Sequence, residues 1–254
     1  TLCIEYKGHT DMVRSLSVDR TGQYLVSGGE EGVVRVWEVN TGRCVRQVVV
    51  REEGTEDGVR CVDWCPNNVV SLILVACNKR VLILNPYLGD PLITSKTDTL
   101  LSLPLPNPVP PPARVSSAVQ WSTIDPATTE YTTSGFRFIL SHFQSVVQVT
   151  WHAKGDYFAS VMPDAANRAV LISQLSKRRS LVPFAKSKGA VQCVRFHPLR
   201  PVLFVATQRH VRIYDIAQQA MIKKLMTNSR WISNMAVHPA GDNLLVSTYD
   251  KKIL

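Results

Sequence analysis

Three residue types that could do chemistry together, His9, Ser27 and Glu31, fall in one short stretch, and Trp37 follows six positions later. A histidine, a serine and an acid are the parts of a hydrolase triad. That chemistry also needs its serine on a strained elbow, and no Gly-x-Ser-x-Gly occurs anywhere in the chain. His152, His197 and His238 fall at one register of successive similar segments, two of them followed by Pro198 and Pro239. Position within a repeat explains them better than metal binding does. Cys61 and Cys65 have the wrong spacing for a zinc knuckle, and in a strand residues 61, 63 and 65 share one face, which points to packing. There is no Gly-x-x-x-x-Gly-Lys and no Gly-x-Gly-x-x-Gly to cradle a phosphate. We therefore expect no catalytic residue, no metal site, no cofactor and no small-molecule substrate.

The elements that must hold these residues repeat. Five segments share an alternating apolar stretch, a polar turn and a second apolar run, with anchors at Val18, Trp64, Trp151, Phe196 and Val237. The intervals are 46, 87, 45 and 41 residues, the second close to twice the others. Val34-Arg35-Val36-Trp37 and Val211-Arg212-Ile213-Tyr214 alternate strictly, as half-buried strands do. Asp215 to Met226 comes nearest to a helix and reads better as a turn and an outer strand. A period of 40 to 45 residues with about four short strands each is the mark of a propeller blade. The fold class is all-β, a propeller in one domain over residues 1–254, with a Pro-rich insertion at about 95–145 that explains the double interval. Leu103 to Pro112 holds too many prolines for a central strand and reads as an exposed extended loop. The lone strand at the start and the half-finished unit at the end suggest that roughly two blades of a closed ring are missing.

Mean hydropathy is near zero and 45% of residues are hydrophobic, enough for a sizeable core. The longest apolar run, Val69 to Cys77, is interrupted by Ser71 and too short to span a bilayer, so no membrane association is expected. Thr1 to Lys7 lacks the pattern of a secretory signal, and the six cysteines read as reduced, intracellular thiols.

Charge is divided unevenly. Residues 1–146 carry 13 Lys and Arg against 15 Asp and Glu, net −2, whereas residues 147–254 carry 16 against 5, net +11. A polyanionic or acidic partner and a plainly solvated basic surface both fit this split. Lys177, Arg178, Arg179, Lys186 and Lys188 place five positive charges within twelve residues. With Arg209 and Arg212 adding positive charge in the adjacent unit, these five together with Lys223 and Lys224 are the candidate contacts to RNA phosphates.

The first unit, with Gly8-His9, the tight turn Ser27-Gly28-Gly29-Glu30-Glu31-Gly32 and Val34 to Glu38, resembles the WD40 repeat. In that family a His, a Ser, an Asp and a Trp form a hydrogen-bonded tetrad. The matching residues are His9, Ser27, Glu31 and Trp37, with Glu31 in place of the usual Asp. Tyr214-Asp215 takes the Trp-Asp position in the fourth unit.

Other stretches are more particular: Leu84 to Asp90, Val149 to Tyr157, Gln174 to Ser180 with Pro183-Phe184, Lys223 to Met226, and Ala236 to Asn243. They resemble the carboxy-terminal propeller of the block-of-proliferation family of ribosome biogenesis proteins, whose propeller has seven blades. About five would be present here. The resemblance implies a noncatalytic scaffold of large-subunit assembly and rRNA maturation, located in the nucleolus and nucleoplasm. It implies as partners pescadillo, a WD-repeat protein with a ubiquitin-like domain, the pre-60S particle and pre-rRNA. For docking of the second propeller, Arg14, Arg35, Arg43 and Arg46 on one rim of the first blade are the candidates, because the first half is otherwise nearly neutral. The alternative is a general WD40 adaptor whose basic half meets acidic proteins or peptides.

Overall fold

A computed structural model describes residues 3–52, 54–103, 110–124, 134–184 and 189–254. The first blade is a four-stranded antiparallel meander of β1 (Val13–Val18), β2 (Tyr24–Gly29), β3 (Val33–Glu38) and β4 (Cys44–Val49). The second starts with β5 (Val59–Trp64), β6 (Ile73–Cys77) and β7 (Arg80–Leu84). Asn78 has φ +50°, which lets a two-residue turn join β6 to β7.

The chain then leaves the sheet for α1 (Pro91–Ser102), α2 (Ala113–Ser116) and β8 (Val119–Thr123), and returns as β9 (Phe136–His142). β9 pairs with β7 as the fourth strand, and β8 pairs outside β9 as a fifth. The double interval between Trp64 and Trp151 is thus one blade with an excursion between its third and fourth strands. The range 95–145 singled out in the sequence holds most of α1, all of α2 and β8, and also β9. Of the proline tract, residues 104–109 lie outside the described residues, while Pro110 to Pro112 are exposed and lead into α2.

Helix α1 has local reasons to form. Asp90 caps it by accepting from the Leu92 N–H at 2.9 Å, and Pro91 sits at the first turn, where its missing N–H costs nothing. It is held on the blade by Asp98, which pairs with Arg137 of β9 at 2.8 Å and accepts from Asn85 Nδ2 at 2.9 Å. Buried Thr97 accepts from the Ser71 N–H at 3.0 Å.

The third blade comprises β10 (Gln148–Trp151), β11 (Tyr157–Val161), β12 (Val170–Gln174) and β13 (Arg179–Leu181). The fourth comprises β14 (Val191–Phe196), β15 (Val202–Thr207), β16 (His210–Asp215) and β17 (Ala220–Met226), so residues 215–226 do form a turn and an outer strand. The fifth sheet has β18 (Ile232–Val237) and β19 (Leu244–Thr248), with Ile253 bridging to Ser247.

The five sheets stack in sequence order, β1 beside β5, β5 beside β10, β10 beside β14 and β14 beside β18. Each gap is filled by its own apolar cluster. Val26, Val36, Trp64 and Phe136 lie between the first and second blades, and Leu74, Phe138, Trp151 and Phe158 between the second and third. Ile172, Phe196, Leu203 and Tyr214 follow, then Phe204, Ile232 and Met235. Burial of apolar surface between neighbours is what a blade, too thin to have a core of its own, has to gain.

The innermost strands are also linked by polar side chains, each reaching to the backbone of the next blade. Ser15 and Ser17 accept from the Val62 and Trp64 N–H groups at 3.0 and 2.9 Å. Asp63 accepts from the Trp151 N–H at 2.8 Å. The Gln148 amide takes both backbone groups of Val194, at 2.8 and 3.1 Å, and Arg195 Nε donates to the Met235 carbonyl at 3.1 Å. No helix of the described residues is long and apolar enough to cross a membrane.

Candidate functional site

His9, Ser27, Glu31 and Trp37 form one hydrogen-bonded chain. The Trp37 indole donates to the Ser27 hydroxyl at 2.7 Å, His9 Nε2 meets the same oxygen at 2.6 Å, and His9 Nδ1 pairs with the Glu31 carboxylate. Ser27 and Trp37 are 2% and 1% exposed, so mutual satisfaction is the condition for burying these groups. Glutamate is one methylene longer than the aspartate of the family pattern, and Gly29 makes room for it. A Cβ on Gly29 would overlap the Glu31 carboxylate and lie 2.7 Å from His9 Nδ1. Glu31 Oε2 is left buried without a partner. The indole, hydroxyl and imidazole are each held by a neighbour within the blade, so this constellation ties β2, β3 and the chain before β1 together.

A second member of this pattern escaped the sequence. His142, at the end of β9, places Nε2 3.0 Å from the Ser160 hydroxyl of β11, and both are buried. Burial pushes the His142 pKa down to about 4, so the ring is neutral at physiological pH. The signal was a spacing of 18 residues, the same as from His9 to Ser27, hidden because the excursion separates His142 from the rest of its blade.

His152, His197 and His238 each follow the first strand of a blade. In each, ring Nδ1 accepts a backbone N–H two residues on, at 3.2, 3.0 and 3.3 Å from Lys154, Leu199 and Ala240. Asp19 holds the equivalent turn of the first blade with its carboxylate, accepting from the Thr21 N–H at 3.1 Å. Imidazole and carboxylate serve here as interchangeable turn acceptors. Among the described residues, no group of three or more His, Cys, Asp or Glu side chains could hold a metal ion.

The four arginines of the first blade do not share a rim. Arg46 is opposite Val36 across β3 and β4, and Arg35 is the next residue along β3, so alternation sends them to opposite faces. Arg46 donates to the carbonyls of Pro86 and Ser134, both at 2.6 Å, and stacks over Tyr87, gripping the two ends of the excursion. Arg35 lies against Gly8 beside the tetrad. Arg14 pairs with Glu30, which also engages Arg60. Of the four, only Arg43 is exposed on a turn with its guanidinium bonded to no side chain or carbonyl of the described residues.

The basic candidates divide as well. Lys177 and Arg179 are exposed on the turn between β12 and β13. Arg178 is not available: it donates to the Leu101 and Leu103 carbonyls at the end of α1 and lies over the Phe138 ring, 4.9 Å from its centroid. Lys186 and Lys188 lie outside the described residues. Lys223 and Lys224 are adjacent on exposed β17 and point to opposite sides of the strand. Lys224 pairs across to Arg212, near the β15–β16 turn.

That end of the fourth blade gathers Arg209, Arg212 and Lys224, which the sequence already groups, with His210, Arg230 and Lys252, which it does not. The His210 pKa is pushed below its usual value by burial and by the positive fields of Lys224, Arg212 and Arg209. A cleft of about 560 Å³ between the fourth and fifth sheets is lined by Arg209, His210, Arg230 and Lys252. Its one acid, Asp250, is engaged by Thr248 and by Lys252 at 3.3 Å.

Residues 1–38 match the family model described as "WD domain, G-beta repeat". Over 98% of its length the chain is 54% identical to a "Ribosome biogenesis protein BOP1 homolog" of Drosophila ananassae, covering 30% of that protein. Homologs of the same name from Drosophila persimilis and Aedes aegypti are each 55% identical over 98% of the chain, which covers 31% and 28% of them. The chain therefore spans under a third of the length of the curated relatives it matches. A match this dense across all five sheets, with the repeat model on the tetrad-bearing first blade, places the chain in the block-of-proliferation family, as part of a WD40 propeller.

Proposed function

We propose that this chain is a noncatalytic platform in ribosome biogenesis that holds pre-ribosomal RNA by its phosphates. The names of the relatives supply the process, and the observation that carries the RNA contact is the gathering of Arg209, His210, Arg230 and Lys252 on one cleft between the fourth and fifth sheets, with Lys224 adding its positive field beside it. Cations in one cleft with a single, already engaged acid attract a polyanion without reading its sequence. Lys177 and Arg179 make a second, smaller contact point from the opposite end of the strands, with Lys223 on the outer edge.

In this reading the propeller works within the pre-60S particle, in the nucleolus and nucleoplasm, beside pescadillo and a WD-repeat protein with a ubiquitin-like domain. Arg43 and Arg14 are the arginines of the first blade that can still meet that second propeller, since Arg46 and Arg35 serve the fold.

The test is the affinity of the full chain for a single-stranded RNA as a function of salt. Each phosphate contact contributes a log-log slope of about −0.7. The variant Lys224→Glu/Arg230→Glu should show a shallower slope and weaker binding, with Lys177→Glu/Arg179→Glu losing less. Identical slopes in wild type and both variants would remove RNA from the proposal and leave the charge as a solvated face.

A further inference from the structure

Beneath the turns at the other end of the strands lies a feature whose apolar interior phosphate contact does not use. A cavity of about 460 Å³ opens between the third and fourth blades, within the roughly 300–1,000 Å³ range of ligand-binding clefts. Its walls are Ile172 and Leu181 from one blade and Phe196 and Ile216 from the other. Leu199 stands 76% exposed at its mouth. Around this apolar interior are three cations, Lys154, Arg179 and Arg200, and no lining residue is acidic. The nearest carboxylates are already committed: Asp156 accepts from Gln174 and Ser176, and Asp215 from the Gln218 N–H.

His152 adds a directed polar group. Its Nδ1 accepts from the Lys154 N–H, which places the proton on Nε2, and burial together with Lys154 lowers its pKa. The ring is braced edge-on against Phe196 at 5.3 Å. No described residue accepts from Nε2–H, so it remains able to donate into the cavity it lines.

We infer that this cavity is a receptor for a short acidic peptide that inserts one large apolar side chain, aliphatic or aromatic, between the third and fourth blades. The walls are hydrocarbon and phenyl, suited to a leucine or phenylalanine anchor. The rim is cationic on both sides, suited to flanking Asp or Glu, and His152 Nε2–H suits a peptide carbonyl. A nucleotide would find no backbone-tracking groove here, and the cations that converge on a single cleft lie at the opposite end of the strands.

Fluorescence anisotropy of labelled peptides on the full chain tests this. A peptide with a central Leu or Phe flanked by Glu should bind at least about tenfold tighter than one with a central Ala, the ratio that burying one such side chain supplies. It should likewise bind tighter than a Lys-flanked one. Leu199→Glu and Lys154→Glu/Arg200→Glu change only exposed side chains, and each should abolish the preference while circular dichroism stays unchanged. Equal binding of the central-Ala peptide, or unchanged affinity in both variants, would overturn the inference. So would an RNA oligonucleotide that displaces the peptide and itself loses affinity in Leu199→Glu. Lys224 and Arg230 lie at the opposite end of the strands, so the salt slope of Lys224→Glu/Arg230→Glu tests RNA apart from the peptide and failure of either proposal leaves the other standing; Arg179 lines this cavity, and its variant is left out of that comparison.

Discussion

His142 Nε2 lies 3.0 Å from the Ser160 hydroxyl, repeating 133 residues downstream the contact that His9 makes with Ser27. The two pairs differ in what surrounds the imidazole. His9 has the Glu31 carboxylate on its other nitrogen, whereas His142 Nδ1 faces an uncharged backbone acceptor, the Leu140 carbonyl, 3.1 Å away. A neutral, fully enclosed histidine responds to acid, and that response is measurable.

The folded His142 pKa, about 4, lies below the 6.5 of an unperturbed histidine. As pH falls, the unfolded chain therefore binds the proton first. The His142 contribution to stability is whole above about pH 6.5 and declines toward pH 4, by up to about 3 kcal/mol at roughly 1.4 kcal/mol per pKa unit. Urea melts of wild type and His142→Gln between pH 4 and 7 should show a steeper pH dependence in wild type. Parallel curves would mean that His142 is not buried neutral.

Trp37→Ala should cost about 3–5 kcal/mol, because it empties a large volume that is 1% exposed. Ser27→Ala removes far less volume but strands the indole N–H and the imidazole together, at about 1–3 kcal/mol. Gly29→Ala should also destabilise, since its methyl group needs the space Glu31 occupies. Denaturant midpoints check all three; a neutral Gly29→Ala would show that the carboxylate can swing aside without loss.

Arg178→Ala should loosen the excursion without touching RNA affinity. Its guanidinium holds the last carbonyls of α1, so amide exchange should quicken across residues 91–102 when it is lost. Lys177→Ala, one residue away, should leave exchange unchanged. Reversed results would return Arg178 to the phosphate-binding set.

Burial pushes the Cys65 and Cys193 thiols up to about 12 and about 11. The thiolate is the reactive form, so iodoacetamide at pH 8 should modify exposed Cys3 rapidly and these two only on unfolding. Mass spectrometry of a timed alkylation reads this directly, and early labelling of Cys193 would show that the gap between the fourth and fifth sheets opens readily.

The repeat was legible because Val18, Trp64, Trp151, Phe196 and Val237 all end the innermost strand of a blade; Trp64, Trp151 and Phe196 are buried there against a neighbouring blade, whereas Val18 is 53% exposed. The outer strand of the fourth blade was legible from its turn. Helix α1 was not: Thr94, Ser95, Thr97 and Thr99 are indifferent helix formers, and its register is set by tertiary partners, Arg137 and Asn85 on Asp98 and the Ser71 backbone on Thr97. The choice among arginines failed for a related reason. A count of charges cannot see that Arg46 and Arg178 are spent on carbonyls of the excursion, 40 and 75 residues away from the nearest of their partners. Arg209, Arg212, Lys223 and Lys224 were legible as a basic group, but the cleft around His210 was not, because Arg230 and Lys252 join it from two further turns.

Four of the polar links between innermost strands run the same way, from a side chain of one blade to the backbone of the next in sequence, while the Trp151 indole runs the other way, donating to the Asp63 carbonyl at 3.1 Å. Ser17 waits for Trp64, Asp63 for Trp151, Gln148 for Val194 and Arg195 for Met235. As the chain is synthesised, each finished blade already displays the group that sets the register of the one still emerging. Assembly can therefore proceed as a ratchet from the amino-terminal end, with no blade obliged to wait for a successor before its own sheet is complete.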